Sequence, residues 1–257
     1  LKILLKLCEM NLKTLFVYRA SFFVSLISNL MFVISYVLFI ESLFLHVNKI
    51  GSLNKGEVLL VMAFFYLFQN ISDIFFRDNF ENFSNEMRHG LLDTLITKPV
   101  SSRLLTFFHK MRFDYIAALF ITGLQFWYAF EFIEKPFRIE FFATGVILSF
   151  FGASIMFSIF SIIATFTFWI EKNDTLHNIA WHLMQIARYP RDIYTGIARM
   201  IFTYIIPLGL IANIPAEFAL NIISGKSILV FLGISITFFY LSLWFWNFGL
   251  KRYTSAG

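Results

Sequence analysis

Hydrophobic positions in this chain run in long blocks separated by short polar stretches. A helix needs about 20 mostly apolar residues to cross the roughly 30 Å hydrocarbon core of a bilayer. On that measure residues 20–45, 58–76, 113–133, 141–170 and 227–248 each predict a membrane-spanning helix. Residues 2–18 follow another pattern. Lys2, Lys6 and Lys13 interleave with leucines at helical spacing, which predicts an amphipathic helix lying on the membrane surface. Polar loops are expected at 46–57, which holds Gly51 and Gly56, and at 134–140.

Two readings fit residues 175–224. In one, 175–190 is an interfacial helix and 192–213 is a full span. In the other, 175–190 is a short polar span, and the apolar stretch 192–224, broken by Pro207 and Pro215, is re-entrant. Non-helical backbone at membrane depth is tolerated only where protein buries it. Either way the count is six spans with the same sidedness elsewhere.

Residues 77–112 are the longest hydrophilic stretch. Arg77, Arg88, Lys98, Arg103, Lys110 and Arg112 stand against Asp78, Glu81, Glu86 and Asp93. Phe83, Met87, Leu91 and Leu95 recur at steps of four, predicting a short amphipathic helix outside the membrane. Gly90 can bend or break it and Pro99 ends it. Such a helix either offers a rigid knob to a soluble partner or rests on the headgroups.

Composition agrees with a membrane chain. Of 257 residues 58% are hydrophobic and only 14% charged, well below the quarter usual in soluble domains. The mean hydropathy is +0.73. The net charge of +5 is distributed unevenly. Segments 1–19, 77–112, the region of residue 171 and the C-terminus carry most Lys and Arg. The opposite loops hold Lys49, Lys55, Lys135, Arg138 and Lys226. The positive-inside rule then sets both termini in the cytoplasm and reads the excess charge as topology, not nucleic-acid binding. No small-residue cleavage site follows the first apolar run, so a cleavable signal peptide is not expected. A single cysteine, Cys8, excludes an internal disulfide framework.

Catalytic patterns are missing from the sequence. There is no phosphate-binding G-x-x-x-x-G-K-[ST] loop, no H-E-x-x-H and no G-x-S-x-G. His177 and His182 are five apart, which does not put them on one helix face as metal ligands. Glu41, Asp73 and Glu131 lie near span ends, where a carboxylate can reach the interface. In the fourth span Ser154, Ser158, Ser161 and Thr165 recur at steps of 4, 3 and 4 and share a face. Small polar stripes permit close helix packing; lining a substrate path is the alternative.

The segment Arg88-His89-Gly90-Leu91-Leu92-Asp93, continuing through Leu95 and Ile96 to Lys98-Pro99, resembles the R-x-G-x-L-D-x-L-L-x-x-P signature of the ABC-2 type permease family. The subfamily is one first catalogued as a domain of unknown function. The tail Arg252-Tyr253-Thr254-Ser255-Ala256-Gly257 is similar to that family's R-Y-x-S-x-G ending. Ala187-Arg188-Tyr189-Pro190, Ile206-Pro207 and Ile214-Pro215-Ala216 resemble its Y-P, I-P and P-A pattern. The likeness covers essentially the whole chain. His89 and Thr97 fall where the family has no fixed preference, and the spacing after Asp93 matches loosely.

The resemblance implies an all-α polytopic fold with six spans, an N-terminal amphipathic connecting helix over 1–19, a coupling region over 77–112 and a re-entrant segment over 190–224, all in one domain. It implies the permease subunit of an exporter in the bacterial cytoplasmic membrane, itself not an enzyme. The expected partners are two copies of a cytoplasmic ABC ATPase, which holds the ATP and Mg, a second permease chain, identical or paralogous, and membrane lipid. No cofactor, metal or nucleic acid is expected in this chain. Glu86, Arg88 and Asp93 are expected as charged contacts at the docking surface or as braces of the helix. Gly90 would give the turn, Leu91, Leu92 and Leu95 the apolar part of the knob, and Pro99 its end. Aromatic-rich spans suggest a hydrophobic or amphipathic cargo. Two other classes compete: a stand-alone secondary transporter or channel, and an intramembrane lipid-modifying transferase using His177 or His182.

Overall fold

In the computed structural model the described residues are 2–17, 19–98, 100–134, 138–170 and 174–253. They form helices α1 Lys2–Val17, α2 Arg19–Phe44, α3 Lys55–Phe75, α4 Arg77–Arg88, α5 Leu91–Ile96, α6 Ser102–Phe108, α7 Ile116–Glu131 and α8 Ile139–Thr165. Then come α9 Asp174–Met184, α10 Gly196–Met200, α11 Leu208–Ile211, α12 Asn213–Ala219 and α13 Gly225–Leu250. Five helices are long and apolar enough to cross a membrane, and a sixth crossing is counted if the bent pair Gly196–Ile205 and Leu208–Ala219 is one span. The fold is the all-α polytopic one expected, and every long helix lies within a few residues of its sequence-read position.

α3 begins where Asn54 and Glu57 close a reciprocal cap. Glu57 N donates to Asn54 Oδ1 at 3.1 Å and Asn54 N donates to Glu57 Oε2 at 3.0 Å, satisfying two donors that a helix start leaves open. From Val58 to Tyr66 α3 is apolar and buried on every face: Leu59, Leu60, Val61, Ala63 and Phe64 have no exposed surface. A helix hydrophobic all round belongs in the middle of the packing. α7 and α8 pack directly against it.

α8 is the second central element, held against α3, α12 and α13. Two glycines set its approach to the bent segment. A Cβ on Gly152 would lie 2.9 Å from Ile211 O, and one on Gly145 would lie 2.8 Å from Pro215 O. Close helix approach in lipid needs this kind of small-residue contact. By contrast, α2 and α13 are peripheral. Met31, Phe32, Leu229 and Trp244 stand out from the bundle, as expected of side chains that face lipid.

Between α9 and α13 the chain does not form a straight span over 192–213. Residues Gln185–Arg188 tighten into a 3₁₀ turn, Gly196–Met200 runs on into a π-helical turn Ile201–Ile205, and the chain then bends by 72°. Pro207 explains the break. It supplies no amide to the ladder, and the residue before a proline is pushed out of the helical region; Ile206 is at φ −127, ψ 83. Pro215 sits in the first turn of α12, where a missing amide costs nothing.

Two ends of the bundle can be told apart. α1, α4 to α6, the start of α9 and the end of α13 gather at one. There Asn11 Nδ2 donates to His109 O at 3.1 Å and the Arg77 guanidinium lies 3.8 Å over the Trp181 ring. The loop at Gly51 and residues 190–196 gather at the other, where Ser52 hydrogen-bonds Asp192.

Candidate functional site

The hydrophilic stretch 77–112 folds into three helices laid across one end of the bundle. α4 leaves α3 at a kink on Phe76, which is at φ −142, ψ −15. Arg112 N donates to Ile74 O at 2.8 Å, so the return strand of the segment satisfies a carbonyl near the end of α3. Asn79 clamps the two limbs together: its amide donates to Lys110 O at 2.6 Å and accepts from Lys110 N at 3.0 Å. Glu86 adds a charged brace, pairing with Lys110 and lying 3.4 Å from His109 Nε2.

Gly90 stands between α4 and α5 at φ 72, ψ 14. This left-handed conformation is open to glycine without a Cβ penalty. The pattern of apolar residues at steps of four therefore does not make one helix; it is divided at Gly90. Asp93 lies in the first turn of α5, where a carboxylate faces the positive end of the helix. Tyr253, just beyond α13, lies beside Asp93. Burial first, and then the Asp93 carboxylate, push the Tyr253 phenol above its ordinary range. Thus the tail and coupling signatures, 160 positions apart in sequence, meet in space.

Beneath α5 the packing is aromatic. Phe83 lies 5.7 Å from the Trp246 ring and 6.2 Å from Phe168, and Phe107 lies 5.0 Å from Trp246. Phe168 continues the stack to Tyr253 at 5.9 Å. Arg103 enters this layer from α6. It is 3% exposed, donates to Ser161 Oγ at 3.2 Å and to Ser242 Oγ at 2.6 Å, and spreads over Phe157 and Phe239. Burial pushes the guanidinium down to about 10, which leaves it charged at neutral pH. Along the return strand Arg112 is held above its usual value by its hydrogen bond to Asp114, at 2.6 Å.

The family follows from a comparison. A family model described as "ABC-2 family transporter protein" matches residues 30–257. The chain belongs to the ABC-2 transporter family. No curated relative and no solved structure matches it. As an ABC-2 chain it is a multi-pass membrane permease, and the three motif regions recognised in the sequence gain a structural setting.

This ABC-2 chain distributes the expected site residues unevenly. Arg88 is exposed, with His89, Thr94, Ile96, Thr97 and Lys98 around it. Leu92 and Leu95 are 2% and 4% exposed. They seal α5 onto its own chain, and Ile96 is an exposed apolar residue of the rim. A six-residue helix has no stability of its own and must bury its apolar face; of the apolar knob expected at Leu91, Leu92 and Leu95, the structure packs Leu92 and Leu95 within this chain. Glu86 braces from beneath. The side chain of Leu91, Pro99 and residues 254–257 lie outside the described residues.

Most of the stripe on α8 is buried within this chain, and Ser154 is half-buried. Ser158, Ser161 and Thr165 have no exposed surface. Ser158 Oγ donates to Ser154 O at 2.7 Å and Thr165 Oγ1 to Ser161 O at 2.6 Å. Ser161 also accepts from Arg103 of α6, which joins the stripe to the layer of α4 to α6. His177 is buried with its ring 4.9 Å from Phe160, while His182 is exposed; the two do not share a site. No group of three metal-ligating side chains occurs among the described residues.

Three charged features have partners that the sequence did not indicate. Arg191 Nη2 pairs with Glu217 Oε2 at 2.7 Å, and Asn213 ties the Tyr189 and Arg191 backbone to α12. Glu41 gathers Lys55 at 2.6 Å and the Tyr128 hydroxyl at 2.8 Å. Arg188 lies buried against Tyr36 and Phe65.

Proposed function

We propose that this permease is the membrane subunit of an ATP-driven exporter and that its three-helix platform docks a separate ATPase. One observation carries the reading. α4 to α6 form a braced layer with a polar rim, Arg88 to Lys98, and an aromatic underside fixed to α8 and α13. Such a layer can receive a push on its rim and pass it to the spans. α1 touches the same layer at His109 and Met111 and would act as a second lever. The Lys and Arg distribution supports placing this end, with both chain termini, in the cytoplasm of a bacterial cell.

In this reading, ATP binding closes two ATPase copies and pushes α5. Two permease chains, identical or paralogous, then change between inward-open and outward-open states. Cargo biases that equilibrium only through different affinities for the two states. The bent pair is proposed to enter and leave the membrane on the outer side. Arg191 before it, Gly196 at its start and Ser227 after it line one cavity of about 410 Å³, which supports a return to the side of entry.

The test is co-purification. The tagged chain is co-expressed with the genes that neighbour its own and extracted in mild detergent. A stoichiometric ATPase, released by Arg88→Glu or Asp93→Arg, is expected. A chain that purifies alone, in a preparation without ATPase activity, overturns the reading and leaves a stand-alone carrier or channel.

A further inference from the structure

Arg188 is a cation in the wrong place for a structural residue. It is 6% exposed, and its guanidinium is sandwiched by aromatic faces, 3.9 Å from the Tyr36 centroid and 5.0 Å from Phe65. Its Nε and Nη1 are buried and make no hydrogen bond. The Tyr66 hydroxyl, on the residue next to Phe65, is also buried without a partner. Phe65 is the middle residue of α3 Lys55–Phe75, so the charge lies about 15 Å from either end at 1.5 Å per residue. That is near mid-membrane.

A charge at this depth is costly unless something pairs with it, and such residues mark binding sites and pathways. The carboxylates of the neighbouring segment are engaged elsewhere: Glu217 pairs with Arg191 and Asp192 bonds Ser52. Rings stabilise the cation through its faces but leave in-plane N–H groups unmet, and an unmet buried donor costs about 1–3 kcal/mol. In-plane donors in a fixed fork match the two oxygens of a carboxylate or phosphate. Access is also built in. Tyr36, which covers the guanidinium, is only half-buried, and its helix α2 buries only 11% of its most apolar window within the chain.

We propose that Arg188, roofed by Tyr36 and backed by Tyr66, binds the oxyanion of an amphipathic acid drawn from the membrane. The cargo class is thereby narrowed to molecules with an apolar body and a carboxylate or phosphate head. This rests on the export reading for the word cargo and stands without it as a binding site.

Equilibrium binding in non-ionic detergent at pH 8 tests it, with radiolabelled oleate and oleyl alcohol as probes. The wild-type chain is expected to bind oleate at least about tenfold tighter than the alcohol, the ratio that one charged hydrogen bond of about 1.4 kcal/mol gives. Arg188→Met, which keeps the volume, should bring the ratio to about 1. A wild-type ratio near 1, or an unchanged ratio in folded Arg188→Met, overturns the site. Should that variant not fold, a photoreactive fatty acid on the wild-type chain decides. Labelling of peptides carrying Tyr36, Phe65 or Arg188, blocked by oleate and not by the alcohol, supports the site; labelling confined elsewhere overturns it. Competition by oleoyl lysophosphatidate in the same assay tells a phosphate head from a carboxylate. Acid binding in a chain that copurifies with no ATPase keeps the site and defeats the export reading.

Discussion

Gly90→Ala isolates the backbone of the coupling platform from its contacts. Gly90 is at φ 72, and a Cβ there would meet only Asp93 Oδ2, at an ordinary 3.5 Å. The substitution therefore introduces backbone strain and almost no clash. An L-residue in the left-handed region costs about 1–2 kcal/mol. α5 has six residues, Leu91–Ile96, too few to hold a helix unaided, so the strain falls on α5 staying docked. About 1 kcal/mol net should raise the open population of α5 roughly fivefold. Hydrogen exchange read by mass spectrometry on peptides over 91–98 measures this directly. Exchange should quicken about fivefold there and stay unchanged in α8. Gly90→Asn should lie near wild type, since asparagine tolerates the left-handed region, and Gly90→Val should be worse than alanine. Alanine matching wild type, or valine matching asparagine, refutes the argument that φ is what the position requires.

Three further outcomes are expected. Gly152→Leu forces α8 from the Ile211 carbonyl 2.9 Å away and should cost about 1–3 kcal/mol in thermal unfolding, whereas Gly123→Leu, with nothing within 4 Å, should be near neutral. Arg103→Met removes a buried cation that donates to two serine hydroxyls, so stability should hold or rise, while Ser242→Ala strands a guanidinium donor and should cost about 1–3 kcal/mol; the reverse order in melting temperature sinks the account. Asp93→Arg should abolish ATP-coupled transport with membrane insertion intact, and Asp93→Asn should lower the Tyr253 titration, read as the absorbance difference between wild type and Tyr253→Phe. The sign is that of a raised acid: the stabilisation from neutral Tyr253 is fully present below the unfolded value near 10 and is lost as pH climbs through the higher folded value.

The long helices were legible because lipid imposes a length and an apolarity that few soluble helices meet. α2, α3, α7, α8 and α13 follow from that constraint alone. What the pattern underdetermined is where short helices break. The steps of four from Phe83 to Leu95 hold on both sides of Gly90, and periodicity alone does not show the change of direction there. Burial was underdetermined for the same reason: Leu92 and Leu95 lie on an amphipathic face, and sequence does not say whether a partner or the same chain covers it. Arg188 escaped notice because the ambiguous stretch 175–224 left its depth unset. Reading 175–190 as a short span brings Arg188 inside the membrane, and a lone arginine inside a span is a signal in itself.

Packing divides this chain into a fixed part and a movable part. α3 and α8 are locked, the first by burial on all faces and the second by glycine contacts with Ile211 and Pro215. α13 is held differently. A Cβ on Gly249 would lie 2.6 Å from atoms of Thr165 and Phe168, and Trp246 is 1% exposed among Phe83, Phe107 and Phe168, yet only 17% of its most apolar window is buried. It is gripped at the coupling end and loose beyond. Interiors packed to this density do not compress, so under the proposed docking a displacement of α6 would be carried into the foot of α13 through Trp246 and Ser242. α2, the other lightly held span, carries the Tyr36 roof of Arg188. A transport cycle that moves α2 and α13 against a static α3 and α8 would open the arginine without unpacking the core, and the arginine, stacked on α3 at Phe65, would stay with the static part while its roof moved.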